Sequence, residues 1–253
     1  MSDGFFVAGL AADVAAGDRV IVTDQEAFHA SVVRRLTLGE QVTVTDGMGR
    51  GIQGLVVTST RNQVEVEVTS VLPNHRISWW VTVAQAIPKA GRGELAVDLM
   101  TEVGVDEILP WGAARSQVKW TGEQGAKAHA KWVATAREAS KQARRLRFPV
   151  VAEYAGLADV ARAITDADYA IIMHEKATRP ITDCLVPRSG RVVIVIGPEG
   201  GLTDEEISVL EQAGGRPFLM GSTVLRTSTA GAVAITQVRL LSELNRVTRD
   251  GTR

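Results

Sequence analysis

Residues 192–207, VVIVIGPEGGLTDEEI, carry an apolar run into a turn of Gly197, Pro198, Glu199, Gly200 and Gly201 and then into an acidic helix start. Glycines let the main chain approach a ligand closely, and a proline stiffens the turn. Such a turn leaves the carboxyl end of a strand, which is where α/β sheets bind ligands. Phosphate is disfavoured. The spacing is neither GxGxxG nor GxxxxGK(S/T), the turn has no lysine, and Asp204, Glu205 and Glu206 crowd the helix start where a phosphate would sit. A cationic or zwitterionic ligand fits better, with backbone groups against an adenine edge and an amino-acid tail, and Glu199 facing either a positive centre or a loop donor. The other reading is a plain strand-to-helix turn. Residues 219–234, LMGSTVLRTSTAGAVA, form a second strand end that passes Gly221, Leu225 and Arg226 into a helix opening with Thr227, Ser228 and Thr229. Two such loops can converge on one pocket.

These loops need a sheet to hold them. From residue 79 onward apolar strand patterns alternate with helical ones, which implies a parallel sheet covered on both faces. Helices are expected near residues 93–103, 125–146, 157–164, 204–214 and 227–244, with Thr203 and Glu206 forming a capping box before the fourth. Residues 18–72 read differently: short alternating runs with Asp-Gly breaks predict antiparallel strands in a small barrel or sandwich, interrupted by one helix near 27–36. The boundary is placed in LPNHRIS, giving domains of residues 1–72 and 73–253.

Net charge is −1 over 253 residues, which argues against a protein that coats nucleic acid indiscriminately. The distribution is uneven. Lys131, Arg137, Lys141, Arg144, Arg145 and Arg147 stand against Glu138 alone. On one continuous helix Arg137, Lys141 and Arg144 would share a face, with Glu138, Gln142 and Arg145 adjoining. A charge run is commonly a solvated face, but this surplus, with Arg115 and Lys119 nearby in sequence, favours RNA phosphates. Arg34, Arg35 and Arg50 would add a second RNA surface. Trp111, Trp120 and Trp132 either stack on a flipped base or pack in the core. The lone Cys184 reads as a core residue, and the four histidines, His29, His75, His129 and His174, lack metal spacing, so no metal is expected. No apolar run approaches the ~20 residues of a membrane span and the start lacks a basic signal region, so a cytoplasmic location is expected, with no membrane partner.

Residues 196–207 followed by 219–234 resemble the signature of the SPOUT superfamily of RNA methyltransferases, most closely the ribosomal RNA small subunit methyltransferase E family. Residues 86–111, AIPKAGRGELAVDLMTEVGVDEILPW, and 136–151, AREASKQARRLRFPVV, are similar to its upstream motifs, and 28–49 looks like its PUA-like domain. The resemblance covers nearly the whole chain. It implies an α/β protein with an N-terminal PUA-like β-barrel that binds RNA and a C-terminal parallel-sheet domain threaded into a trefoil knot, an exception to unknotted topology. It also implies S-adenosylmethionine as cofactor, a homodimer, and methylation of N3 of uridine 1498 of 16S ribosomal RNA in the small subunit. Carried over by position, His174, Ile196, Gly197, Glu199, Gly200, Gly201, Leu219, Gly221, Leu225, Arg226, Thr227 and Ala230 surround the cofactor, with Glu175 beside His174. RNA contacts fall to Arg34, Arg35, Arg115, Arg137, Lys141, Gln142, Arg144 and Arg145.

Two departures stand out. Ser228 replaces the glutamate of the family's Leu-Arg-x-Glu-Thr, and GFFVAG lacks the arginine before the aromatic pair. Methyl transfer is an in-line displacement that needs alignment and a nucleophilic base. Arg226 is the candidate to stabilise uracil O2 or O4 as charge develops, or else it forms a salt bridge; Glu138 is the candidate proton acceptor. Three alternatives stay open: a related enzyme acting on a ribose 2′-hydroxyl or a tRNA base, a non-catalytic assembly factor, and a nucleotide-dependent enzyme.

Overall fold

The computed structural model describes residues 4–73, 79–89, 91–187 and 189–250, with side chains as far as residue 244. His75 and most of LPNHRIS lie outside the described residues. The chain divides into two compact units, Met1–Arg76 with Ser140–Phe148, and Ile77–Ala139 with Pro149–Arg253.

The first unit is a five-stranded sheet of β1 (Gly4–Val7), β2 (Arg19–Thr23), β3 (Gln41–Thr45), β4 (Gly51–Ser59) and β5 (Gln63–Leu72), ordered β1-β3-β4-β5-β2. Only the β1–β3 pair is parallel. Strand side chains alternate between faces, so Val64, Val66 and Val68 of β5 point inward with Val42, Val44, Ile52 and Val56, and the sheet curls round them. The helix expected at 27–36 is shorter and mixed: α1 (Asp24–Phe28) runs into a π-helical turn over His29–Val33. There the Arg34 amide reaches back to the His29 carbonyl at 2.8 Å, and the wider turn lets Ala27, Ala30 and Leu36 all face the core. Segment Ser140–Phe148 is tied to the β3–β4 turn. The Leu146 carbonyl accepts from Thr45 Oγ1 at 2.8 Å and from the Gly49 amide at 2.9 Å, and the Phe148 amide donates to Gly47.

The second unit holds six parallel strands in the order β11-β9-β10-β6-β7-β8: β6 (Trp79–Ala86), β7 (Glu107–Trp111), β8 (Val150–Val151), β9 (Tyr169–Met173), β10 (Gly190–Ile196) and β11 (Arg216–Phe218). Their apolar runs are continuous because both faces are buried. Val192, Ile194 and Ile196 face a core built with Ala96, Val97 and Met100 of α2 (Gly93–Glu102), Trp132 and Ala136 of α3 (Gly122–Gln142), and Ala234, Ile235 and Val238 of α6 (Thr227–Asp250). Val193 and Val195 face the other core, with Val160 and Ile164 of α4 (Leu157–Thr165) and Leu210 of α5 (Asp204–Gln212). The three tryptophans resolve toward the core: Trp111, Trp120 and Trp132 are all buried, and none is presented to a flipped base.

The basic helix is corrected. It stops at Gln142 instead of running to 146, and Arg144 takes a left-handed conformation at φ 52, so Arg144 and Arg145 do not continue the face of Arg137. The break serves packing, since it delivers Leu146 onto Gly51. Among the described residues no helix is long and apolar enough to cross a membrane.

Candidate active site

The carboxyl ends of β9, β10 and β11 open into one cavity of about 450 Å³. Each strand end supplies one wall. Met173, His174 and Glu175 follow β9; Ile196, Gly197, Pro198, Glu199, Gly201 and Leu202 follow β10; residues 219–227 follow β11, and Ala230 closes the first turn of α6. The two loops singled out in the sequence therefore do converge. Of the residues expected at the cofactor, only Gly200 is absent from the lining.

The β10 turn is shaped by its glycines. Gly201 sits at φ 71, a left-handed conformation that costs an L side chain ~1–2 kcal/mol. At Gly200 a Cβ would lie 3.1 Å from the Cβ of Arg115, so that residue turns its back on the cavity and packs against the β7 loop. Thr203 and Glu206 form the expected capping box: Thr203 Oγ1 accepts the Glu206 amide at 3.1 Å, and Glu206 Oε2 accepts the Thr203 amide at 2.8 Å. Glu199 takes the loop-donor alternative. Its Oε1 accepts the Lys89 amide at 3.1 Å and joins the β6 exit to the turn.

The β11 loop is held from below by two glutamines. Buried Gln85 donates to the Thr227 carbonyl at 3.3 Å, and Gln237 to the Met220 carbonyl at 3.2 Å. The Arg226 carbonyl accepts the amides of Thr229 and Ala230 at 2.8 and 2.9 Å, which pins the main chain of Arg226 at the start of α6. Its side chain is exposed on the cavity wall. Ser228, in place of the carboxylate the resemblance leads one to expect, is buried in the first turn and does not line the cavity. His174 is half-buried, and its amide donates to the Phe218 carbonyl at 3.1 Å.

Several expected RNA contacts sit elsewhere than on an open basic face. The Arg115 Nη1 donates to the carbonyls of Gly200 at 3.0 Å and Leu202 at 3.3 Å, behind the glycine turn. Lys141 Nζ lies 3.1 Å from Glu26 Oε1, with both side chains only 10% exposed. Arg34 pairs with Glu40 at 3.2 Å. Arg35, at φ 55, lines a shallow groove with Thr37 and Arg61, and Arg137, Gln142 and Arg144 are exposed. Arg145 is half-buried beyond the helix end. Glu138 is not brought to the cavity: α3 packs through Trp132, Ala136 and Ala139 and turns Glu138 to solvent.

A parallel sheet with a ligand cavity at its carboxyl ends, matched over residues 75–239 by the model of the RNA methyltransferase domain, places the chain among proteins of that domain class. The ribosomal RNA small subunit methyltransferase E of Mycobacterium bovis is 37% identical over 230 residues, covering 89% of this chain and 88% of that protein. That of Bacillus subtilis is 27% identical, covering 89% and 91%. The chain belongs to the ribosomal RNA small subunit methyltransferase E family. Among solved structures, the family member from Neisseria gonorrhoeae bound to S-adenosyl methionine superposes with a TM-score of 0.82 at 25% identity, covering 95% of this chain and 98% of that one. A methyltransferase from Legionella pneumophila in complex with the bound cofactor SAM gives 0.83 at 28% identity, with the same coverage.

Proposed function

We propose that the chain is an S-adenosylmethionine-dependent RNA methyltransferase that modifies N3 of one uridine, uridine 1498, of 16S ribosomal RNA in the small ribosomal subunit. The carrying observation is the single cavity into which the β9, β10 and β11 ends converge, in a chain of this family. Its volume lies within the ~300–1,000 Å³ of small-molecule sites, and its lining mixes apolar side chains with a few placed polar groups. The side chains of Leu219 and Leu225 suit an adenine face, while the glycine main chain leaves room and hydrogen-bonding groups for its edge. The carboxylates of Glu175 and Glu199 give the lining negative charge, which suits a cationic ligand.

When bound, S-adenosylmethionine supplies an electrophilic methyl carbon on a sulfonium. The chain's own part is to hold the turn, exclude water and stabilise the uracil. Arg226, an exposed residue of the cavity lining whose main chain is fixed by two amides, stabilises O2 or O4 as N3 becomes nucleophilic. The first unit, residues 1–72 joined by Ser140–Phe148, acts as a PUA-like RNA-binding barrel, and the rest of residues 73–253 forms a knotted domain that pairs with a second copy in the cytoplasm. The β11 exit pairs in parallel with the segment after β9, where the Leu219 amide donates to the Arg179 carbonyl and the Leu219 carbonyl accepts the Ile181 amide.

The test is transfer of labelled methyl from S-adenosylmethionine to small subunits that lack the modification, with the labelled nucleotide mapped. Label on N3 of one uridine is expected. Label on a ribose hydroxyl would assign a different reaction, and binding of cofactor and RNA without label would point to an assembly factor.

A further inference from the structure

The β7 exit and the β10 turn are joined by four hydrogen bonds from three side chains, none of which lines the cavity. Trp111 Nε1 donates to the Ile196 carbonyl at 3.2 Å, Arg115 Nη1 to the carbonyls of Gly200 and Leu202, and Glu206 Oε1 accepts the Ala114 amide at 2.7 Å. Together they grip the turn at its start, middle and end. Arg115 is central because it holds the two carbonyls flanking Gly201, the left-handed residue that faces the cavity. A glycine turn is free to adopt many conformations, so something outside it must select one. Carbonyls committed to a guanidinium fix which way the neighbouring peptide planes point, and hence which backbone groups meet the cavity. One Arg nitrogen spanning both carbonyls does this without a side chain entering the ligand volume.

We infer that Arg115 is a positioning residue for the cofactor, a latch behind the glycine turn, and not an RNA phosphate contact. This rests on the reading of the cavity as the S-adenosylmethionine site. Glu206 completes the latch from the helix side, where its two oxygens bond the Ala114 and Thr203 amides at once. The latch sets the turn before the cofactor arrives, so its loss weakens binding by leaving the ordering cost to the ligand.

The experiment compares wild type, Arg115→Met, Arg115→Lys and Gly200→Ala. Hydrogen exchange of the peptide over residues 197–206 is followed in ligand-free protein, S-adenosylmethionine affinity is measured by calorimetry, and the salt dependence of small-subunit binding is recorded. Loss of a charge-assisted bond predicts about tenfold faster exchange and about tenfold weaker cofactor binding in Arg115→Met, with the salt slope unchanged. Arg115→Lys recovers part of both, since one ammonium still reaches a carbonyl. Gly200→Ala keeps the charge but forces its Cβ against Arg115, and reproduces the faster exchange; it decides the matter if Arg115→Met does not fold. A salt slope reduced by about one with exchange unchanged would make Arg115 a phosphate contact and overturn the latch. Unchanged exchange in both Arg115→Met and Gly200→Ala would do the same. Failure of the wild type to bind S-adenosylmethionine would instead sink the reading of the cavity, while the exchange data would still judge the latch.

Discussion

Glu206 Oε1 accepts the amide of Ala114 at 2.7 Å across 92 positions of sequence, while its Oε2 caps its own helix through Thr203. One buried carboxylate thus satisfies two main-chain donors on different loops. Truncation removes two hydrogen bonds to a charged group, from the amides of exposed Ala114 and half-buried Thr203, each worth ~1.5–3 kcal/mol. Glu206→Ala is expected to lower unfolding stability by about 3 kcal/mol in urea titrations, whereas Glu205→Ala, on the exposed side of the same turn, changes it by less than ~0.5 kcal/mol.

Gly201 has a separate role from its neighbour. At φ 71 any L residue is strained, so Gly201→Ala is expected to cost ~1–2 kcal/mol and to weaken S-adenosylmethionine binding. Equal calorimetric affinities for the two proteins would show that the turn adopts another conformation with ligand.

Lys141 and Glu26 form a nearly buried ion pair inside the first unit. Truncating Lys141 removes a charge-assisted hydrogen bond from this nearly buried pair, a loss of ~1.5–3 kcal/mol. Lys141→Met is therefore expected to act on stability, with the salt slope of RNA binding unaltered. A reduced slope at full stability would restore the phosphate contact expected from the charge pattern.

Cys184 Sγ donates to the Tyr169 phenol oxygen at 3.5 Å beside the start of β9. Burial raises the thiol above its usual 9.0, and burial followed by the bond to Cys184 raises the phenol above 10.0. The unfolded chain releases these protons first, so their stabilisation is whole below about pH 9 and is lost as pH climbs through the raised folded values. Urea midpoints are expected to fall more steeply above pH 9 in wild type than in a Cys184→Ala, Tyr169→Phe double variant.

Much of the site was legible because its signals are local. Gly201, Thr203 and Glu206 report their conformations through their own spacing, and the continuous apolar runs of β6, β9 and β10 announce a sheet buried on both faces. Long-range partners leave no such trace. Nothing near Arg115 in sequence says that its guanidinium ends under Gly200, and nothing near Lys141 points to Glu26; both read as members of a basic stretch facing RNA phosphates. The helix end at Gln142 was missed because the residues after it, Ala143 to Leu146, are good helix formers, and packing of Leu146 on Gly51 overrides them.

The most direct test is single-turnover methyl transfer to small subunits by wild type and Arg226→Ala at saturating S-adenosylmethionine, with cofactor affinity measured alongside. Loss of a transition-state donor predicts a rate lower by ~10²–10³, with the affinity changed far less. An unchanged rate at saturation would contradict the assignment of the chemistry to Arg226 at this cavity.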